Sequence, residues 1–179
     1  DTWCLSVERL KEKLELHNSN GMPLPKVVIP VHLSGQSCDM RAIKELGDQF
    51  GFRIIEDASH ALGANYYDEP IGSCRYSDIT VFSFHPVKII TTGEGGMLTL
   101  KDPKLAERAR SLKSLAFGQD NKFMHADLGF NYRLTNLQAA IGCAQLERVE
   151  DIIDRKRATA ARYTGLLRDQ ELLQLPVEK

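Results

Sequence analysis

"DITVFSFHPVKIITTGEGG", residues 78–96, decides how the chain folds. Its first half is a β-branched and aromatic run, too short for a core helix, and it predicts a buried strand. The second half passes Pro86 and ends among glycines, with Lys88 set between apolar neighbours. Lysine is ordinarily solvated, so a lysine in this place needs a reason.

Working outward, "GGMLTL" predicts a further short strand directly after the loop, and "FRIIEDAS" predicts one before it. A loop with several glycines joins residues 59–77 to the opening stretch. "KVVIPVHL" reads as another buried strand, with Pro30 better suited to a strand end or irregularity than to the centre of a ladder. Helical spacing of Val7, Leu10, Leu14 and Leu16 predicts a helix over "SVERLKEKLELHNS", with Ser6 as N-cap. The glycine and two prolines of "NGMPLPK" end it. Asp39 caps a helix over "MRAIKELGDQFG" that stops at Gly51, and Pro103 suits the first turn of a helix in "DPKLAERARSLKSL". After the polar loop "GQDNKFMHAD", residues 135–169 predict one long amphipathic helix capped by Thr135 or Asn136. Apolar strands separated by helical patterns define an α/β chain with a mostly parallel sheet covered on both faces.

Composition narrows the function classes. The chain has 179 residues, 42% hydrophobic and 26% charged, with a net charge of −1. That balance suits a cytoplasmic globular protein and gives no electrostatic argument for a nucleic acid or an anionic membrane as partner. No apolar run is long enough to cross a bilayer. The opening "DTWCLSVERLKEKL" lacks the basic and then apolar pattern of a signal peptide, and a start at Asp1 reads as a partial or processed chain. Cys4, Cys38, Cys74 and Cys143 are widely spaced, without a CxxC pair, and read as reduced thiols. No metal site is expected: Cys38, Cys74, His60 and His85 lack close ligand spacing.

In open α/β sheets, ligands bind outside the carboxyl ends of the strands. Asp57 ends "RIIED", while Ser83, His85 and Lys88 end or follow "DITVF". If those strands are neighbours, a carboxylate, a hydroxyl, an imidazole and an amine face one crevice. An amine at the edge of an apolar pocket is pushed toward its neutral, nucleophilic form, as a Schiff-base lysine requires. A carboxylate can hold a pyridinium nitrogen, and a serine with backbone amides can hold a phosphate. Together these describe a site for pyridoxal 5'-phosphate.

"EDASHALGA", "DITVFSFHPVKIITTGEGG" and "LGFNYRLTNLQAAIGCAQLERV", in that order, resemble the DegT/DnrJ/EryC1/StrS family of pyridoxal phosphate-dependent nucleotide-sugar aminotransferases. The resemblance implies fold type I. Residues 1–133 would form part of the large α/β domain, and 134–179 a helical segment leading into an incomplete, smaller C-terminal domain. Lys88 would hold the cofactor and shuttle the proton, Asp57 would pair with the ring nitrogen and Ser83 would bind the phosphate. His60 would lie beside the ring, and Asn131 would reach the phosphate of a neighbouring subunit in a homodimer. His85 reads either as a substrate contact or as support for the lysine loop, and Glu94 as structural or functional. Tyr132 and Arg133 read as shaping a loop or interface.

The activity implied is amino transfer from L-glutamate to a nucleotide-linked keto-sugar in surface-polysaccharide or glycan biosynthesis. "LPKVVIPVHLSGQSCDM" resembles enzymes that aminate UDP-linked 4-keto-6-deoxy sugars, and "LKSLAFGQDNKFMHADLGFNYRLTN" resembles those acting on GDP-linked ones. Both resemblances point to a 4-keto-6-deoxy sugar. Two alternatives stay open: a dehydratase or lyase on the same scaffold, and a truncated chain that only folds or dimerises. Dehydratases of the family carry histidine in place of the lysine, so Lys88 argues against that branch. Compared with the family, the segments before and after this stretch are missing, including a phosphate loop and a ring-stacking aromatic residue.

Overall fold

The structure, a computed structural model, describes residues 2–118, 123–125 and 127–178. Among these the elements run α1 (Val7–Ser19), β1 (Val27–Val28), α2 (Met40–Phe50), β2 (Arg53–Asp57), β3 (Asn65–Tyr66) and β4 (Glu69–Pro70). Then follow β5 (Ile79–Ser83), β6 (Gly96–Leu100), α3 (Pro103–Lys113), α4 (Asn136–Leu146) and α5 (Val149–Leu167). The main sheet has the order β1-β2-β5-β6, parallel except for β6, which pairs antiparallel with β5. Strands β3 and β4 make a small hairpin inside the glycine-containing segment that the sequence reads as a loop.

Local chemistry sets most boundaries. Ser6 accepts from the Arg9 N–H, Asp39 from Ala42 and Asp102 from Lys104, each satisfying an orphan donor at a helix start. Gly51 ends α2 at φ 78°, a conformation that glycine adopts without a Cβ clash. The run "KVVIPVHL" keeps only two residues of regular strand, because Pro30 has no N–H to give. Pairing nonetheless resumes past it: Asp57 N–H donates to the Pro30 carbonyl at 2.9 Å, and His32 N–H to the Asp57 carbonyl at 3.0 Å.

Ile54, Glu56 and Ala58 share one sheet face with Thr80, Phe82 and Phe84, as the parallel register and the alternation of side chains require. One core cluster gathers Leu14, Met40, Ile43, Leu46, Phe52 and Ile54 beneath α1 and α2. A second gathers Ala58, Ala61, Phe82, Phe84 and Ile90, with Val149 and Ile152 of α5 packed on it. Each large apolar side chain so buried contributes about 1.5–3 kcal/mol. The opposite face, with Ile55, Asp57, Ile79, Val81 and Ser83, is only half-buried, so the expected cover on both faces is complete on one.

The long C-terminal helix is two helices. Arg148 leaves helical geometry at φ −113°, ψ 12°, and Val149 and Ile152 beyond it lie against the second cluster. Neither proline nor glycine marks this break; tertiary packing sets it. Of the four apolar positions read for α1, Leu14 is buried while Leu16 faces solvent. Residues 119–122 and 126 of the polar loop lie outside the described residues.

Candidate active site

β2 and β5 are neighbours, with Asp57 opposite Val81. Ser83, two residues on, therefore shares the half-buried face with Asp57 at the carboxyl ends of both strands. The Asp57 carboxylate accepts the Ser59 N–H at 3.0 Å. Partial burial works to raise its pKa, but the Ser59 donors, then His60 and Lys88, outweigh that and hold it below the usual carboxylate range. Asp57 is thus ionised at neutral pH, with His60 and Lys88 near enough to act on its charge.

Lys88 is half-buried on a loop whose two ends are tied at Phe84. Phe84 N–H donates to the Gly95 carbonyl at 2.8 Å, and its own carbonyl accepts from Thr92 N–H and the Thr91 hydroxyl at 3.0 and 3.1 Å. Phe84, Ile90 and Thr92 are buried, while Val87 at the tip is three-quarters exposed. His85 supports the loop: its carbonyl accepts the Lys88 N–H at 3.0 Å, and its Nδ1 accepts the Val87 N–H at 3.4 Å. Its Nε2 lies 3.9 Å from the Glu94 carboxylate across the loop. Gly95 is required where the loop closes, since a Cβ there would stand 2.6 Å from the Thr92 hydroxyl and 2.7 Å from Leu134.

The start of α4 holds the far side of this loop. Thr135 and Gln138 form a capping box, and Gln138 Nε2 also donates to the Glu94 carbonyl at 3.0 Å. We expect Gln138→Ala to lower unfolding free energy by about 1–2 kcal/mol. Gln138→Glu keeps the box but not the donor to Glu94, and should recover only part. Urea titration of the three proteins checks this; equal midpoints would mean that the cap does not brace the loop.

His60 is half-buried, and its Nδ1 accepts the Ser34 N–H at 3.2 Å, which places the ring proton of the neutral imidazole on Nε2. The short 3₁₀ turn Leu33–Gly35 thereby touches the site, an approach that sequence spacing does not signal. Asn131 belongs to another part of the fold: exposed, it bridges Ser114 and accepts from Arg133 Nε at 2.7 Å.

Behind Asp57, on the buried face, lies a group that sequence reading missed. Glu56 is 4% exposed and His32 fully buried, with His32 Nε2 at 2.8 Å from the carboxylate. Cys38 N–H donates to His32 Nδ1 at 3.1 Å, so Nε2 carries the proton and donates to Glu56. The hydroxyls of Ser77 and Thr80 donate to the other carboxylate oxygen. Burial works to raise the Glu56 pKa, but donors from His32, Ser77 and Thr80 bring it below the ordinary value. A charge at the phase of Ile54, inside an apolar strand, was the available signal.

A carboxylate, an imidazole, a hydroxyl and an amine thus gather at the carboxyl ends of β2 and β5, where ligands bind in open α/β sheets. The chain belongs to the DegT/DnrJ/EryC1/StrS aminotransferase family, whose sequence pattern matches residues 1–179. It is 44% identical over 141 residues to the GDP-perosamine synthase of Caulobacter vibrioides, covering 79% of this chain and 38% of that protein. Against the GDP-perosamine synthase of Escherichia coli O157:H7 it is 39% identical over 163 residues, 91% of this chain and 42% of that protein. The crystal structure of the aminotransferase TlmJ from Streptoalloteichus hindustanus superposes with a TM-score of 0.87 at 32% identity, over 99% of this chain and 46% of that one. The chain therefore spans about two fifths of the length of the curated relatives it matches.

Proposed function

We propose that this chain is the cofactor-holding part of a pyridoxal phosphate-dependent aminotransferase. It would move the amino group of L-glutamate to a nucleotide-linked 4-keto-6-deoxy sugar, UDP- or GDP-linked, in surface-polysaccharide or glycan biosynthesis. The carrying observation is the placement of Asp57, His60, Ser83 and Lys88 at the carboxyl ends of β2 and β5. The set fits the cofactor: an ionised carboxylate for the ring nitrogen, a hydroxyl for the phosphate and a partly buried amine for the aldehyde. When bound, pyridoxal phosphate supplies an electron-withdrawing ring that makes the carbon bearing the amine acidic.

The chain's own residues do the rest. Asp57 keeps a proton on the ring nitrogen by remaining ionised itself. Lys88 Nζ would hold the aldehyde end of the cofactor and would be the general acid and base that moves the proton at the reacting carbon. Ser83 fixes the phosphate end, and His60, oriented by the Ser34 N–H, flanks the ring. Asn131, on its exposed segment, reaches the phosphate of a second subunit, which makes the working unit a homodimer. Support for the substrate class comes from the two relatives named for GDP-perosamine synthesis. The helices carry no membrane span: none among the described residues is long and apolar enough. The test uses the full-length enzyme with pyridoxal phosphate, L-glutamate and a nucleotide-linked 4-keto-6-deoxy sugar. Expected are 2-oxoglutarate and amino sugar in equal amounts; loss of water from the sugar without 2-oxoglutarate would overturn the reading.

A further inference from the structure

The hold of the Leu33–Gly35 turn on His60 traces back to the buried His32. Three hydrogen bonds fix that residue: its N–H donates to the Asp57 carbonyl at 3.0 Å, its Nε2–H to the Glu56 carboxylate at 2.8 Å, and its Nδ1 accepts the Cys38 N–H at 3.1 Å. The first two tie His32 to the end of β2, and the third draws in the chain just before α2. Between these anchors the backbone turns tightly. Gly35 N–H donates to the His32 carbonyl at 3.2 Å, and Ser34 sits at φ 57°, a left-handed conformation uncommon for serine. Such a residue persists only where its surroundings over-determine it. The turn meets His60 twice. The Ser34 N–H lies 3.2 Å from His60 Nδ1, and a Cβ on Gly35 would stand 3.3 Å from the His60 carbonyl oxygen.

We propose that the buried Glu56–His32 pair is a positioning device for the candidate site: it locks the Leu33–Gly35 turn, so that the Ser34 N–H selects one tautomer of His60. The inference rests on the proposed function, in which His60 flanks the cofactor ring. A neutral imidazole has one donor and one acceptor nitrogen, and which is which follows from the partner of either. With Nδ1 taken by a backbone donor, the proton sits on Nε2. His60 then meets the cofactor as an N–H donor, suited to one of its oxygens, and not as an acceptor. The chain of effect is short: carboxylate to buried imidazole, imidazole to turn, turn to the imidazole of the site. Locking a site residue through a further layer of hydrogen bonds is how binding geometry is kept. Glu56 and Asp57 are successive residues of β2 and point to opposite faces. One strand end therefore carries both the carboxylate of the site and the carboxylate that positions its neighbour.

The test is nitrogen NMR of the full-length enzyme carrying isotope-labelled histidine, at about pH 8, where an ordinary histidine of pKa about 6.5 is neutral. The His60 signals are identified by their loss in His60→Gln. Expected in the wild type, with or without pyridoxal phosphate, is a protonated Nε2 and an unprotonated Nδ1. Ser34→Gly keeps the N–H and suits the positive φ, and should keep that pattern. Ser34→Pro has no N–H and cannot take that φ. Its two His60 nitrogens should average between tautomers, and pyridoxal phosphate should bind about 10-fold more weakly, as one misdirected hydrogen bond requires. His32→Leu should mix the tautomers likewise, while His32→Gln, whose amide can donate to Glu56, should recover most of the wild-type pattern. Mixed tautomers in the wild type, or an unchanged pattern in Ser34→Pro, would overturn the proposal. His32→Gln no better than a folded His32→Leu would remove Glu56 from it. Should His32→Leu fail to fold, Ser34→Pro still decides, because Ser34 belongs to neither core cluster. A wild type that shows the single tautomer but takes up no pyridoxal phosphate would overturn the proposed function and leave the positioning of His60 standing.

Discussion

Lys88→Ala in the full-length holoenzyme should abolish stoichiometric labelling by pyridoxal phosphate and borohydride, and lower amino transfer by roughly 10³-fold or more. On the proposed function, the one amine would be both the covalent anchor and the proton carrier at the reacting carbon, so both roles would end with it. Lys88→Arg should be nearly as inactive, since guanidinium keeps the charge but stays protonated and is a poor nucleophile. That pair of variants separates chemistry from charge. Both should fold, because the loop is held by buried Phe84, Ile90 and Thr92, and Lys88 is only half-buried. Peptide mapping of the wild type should show one phosphopyridoxyl adduct, on Lys88, and none in either variant. A single adduct on a different lysine would move the site elsewhere. Scattered partial labelling over surface lysines would show that no cofactor site forms around Lys88.

The strands and caps were legible because their signals are local. A β-branched run declares β5, and Ser6, Asp39 and Thr135 each act within three residues. The candidate site was partly legible for a different reason: the rule about strand ends picks out Asp57, Ser83 and Lys88 if β2 and β5 adjoin, and they do. What stayed hidden depends on long-range partners. Glu56 meets His32 and Thr80, each 24 residues away, and Ser34 reaches His60 across 26. Periodicity within one segment carries nothing about such pairs. The break before α5 was hidden too, since Arg148 has no special backbone preference and the second core cluster decides where Val149 and Ile152 sit. His85 was ambiguous in the sequence; in the structure it hydrogen-bonds Lys88 and Val87 of the lysine loop.

Glu56→Ala should be strongly destabilising, by about 3–5 kcal/mol, since each buried donor left without its acceptor costs about 1–3 kcal/mol. It leaves the buried Nε2–H of His32 and the hydroxyls of Ser77 and Thr80 without their acceptor, between the two core clusters and directly behind Asp57. Glu56→Gln keeps the shape and one acceptor oxygen but presents an amide N–H₂ to a cluster of donors. It should cost about 1–3 kcal/mol at neutral pH. The two proteins then respond differently to acid. The folded-state pKa of Glu56 lies below its ordinary value, so on acidification the unfolded chain takes up the proton first. The stability it contributes is therefore complete above the ordinary glutamate value of about 4.3 and is lost as pH falls through the lower folded value. Asp57 titrates in both proteins and cancels in the difference. Urea titrations should thus give a constant advantage of wild type over Glu56→Gln from about pH 7 to pH 5, and a shrinking one near pH 4 and below. An advantage that is the same at every pH would mean that folding leaves the Glu56 pKa where it is in the unfolded chain, and one that grows on acidification would mean that the buried carboxyl is protonated in the folded state.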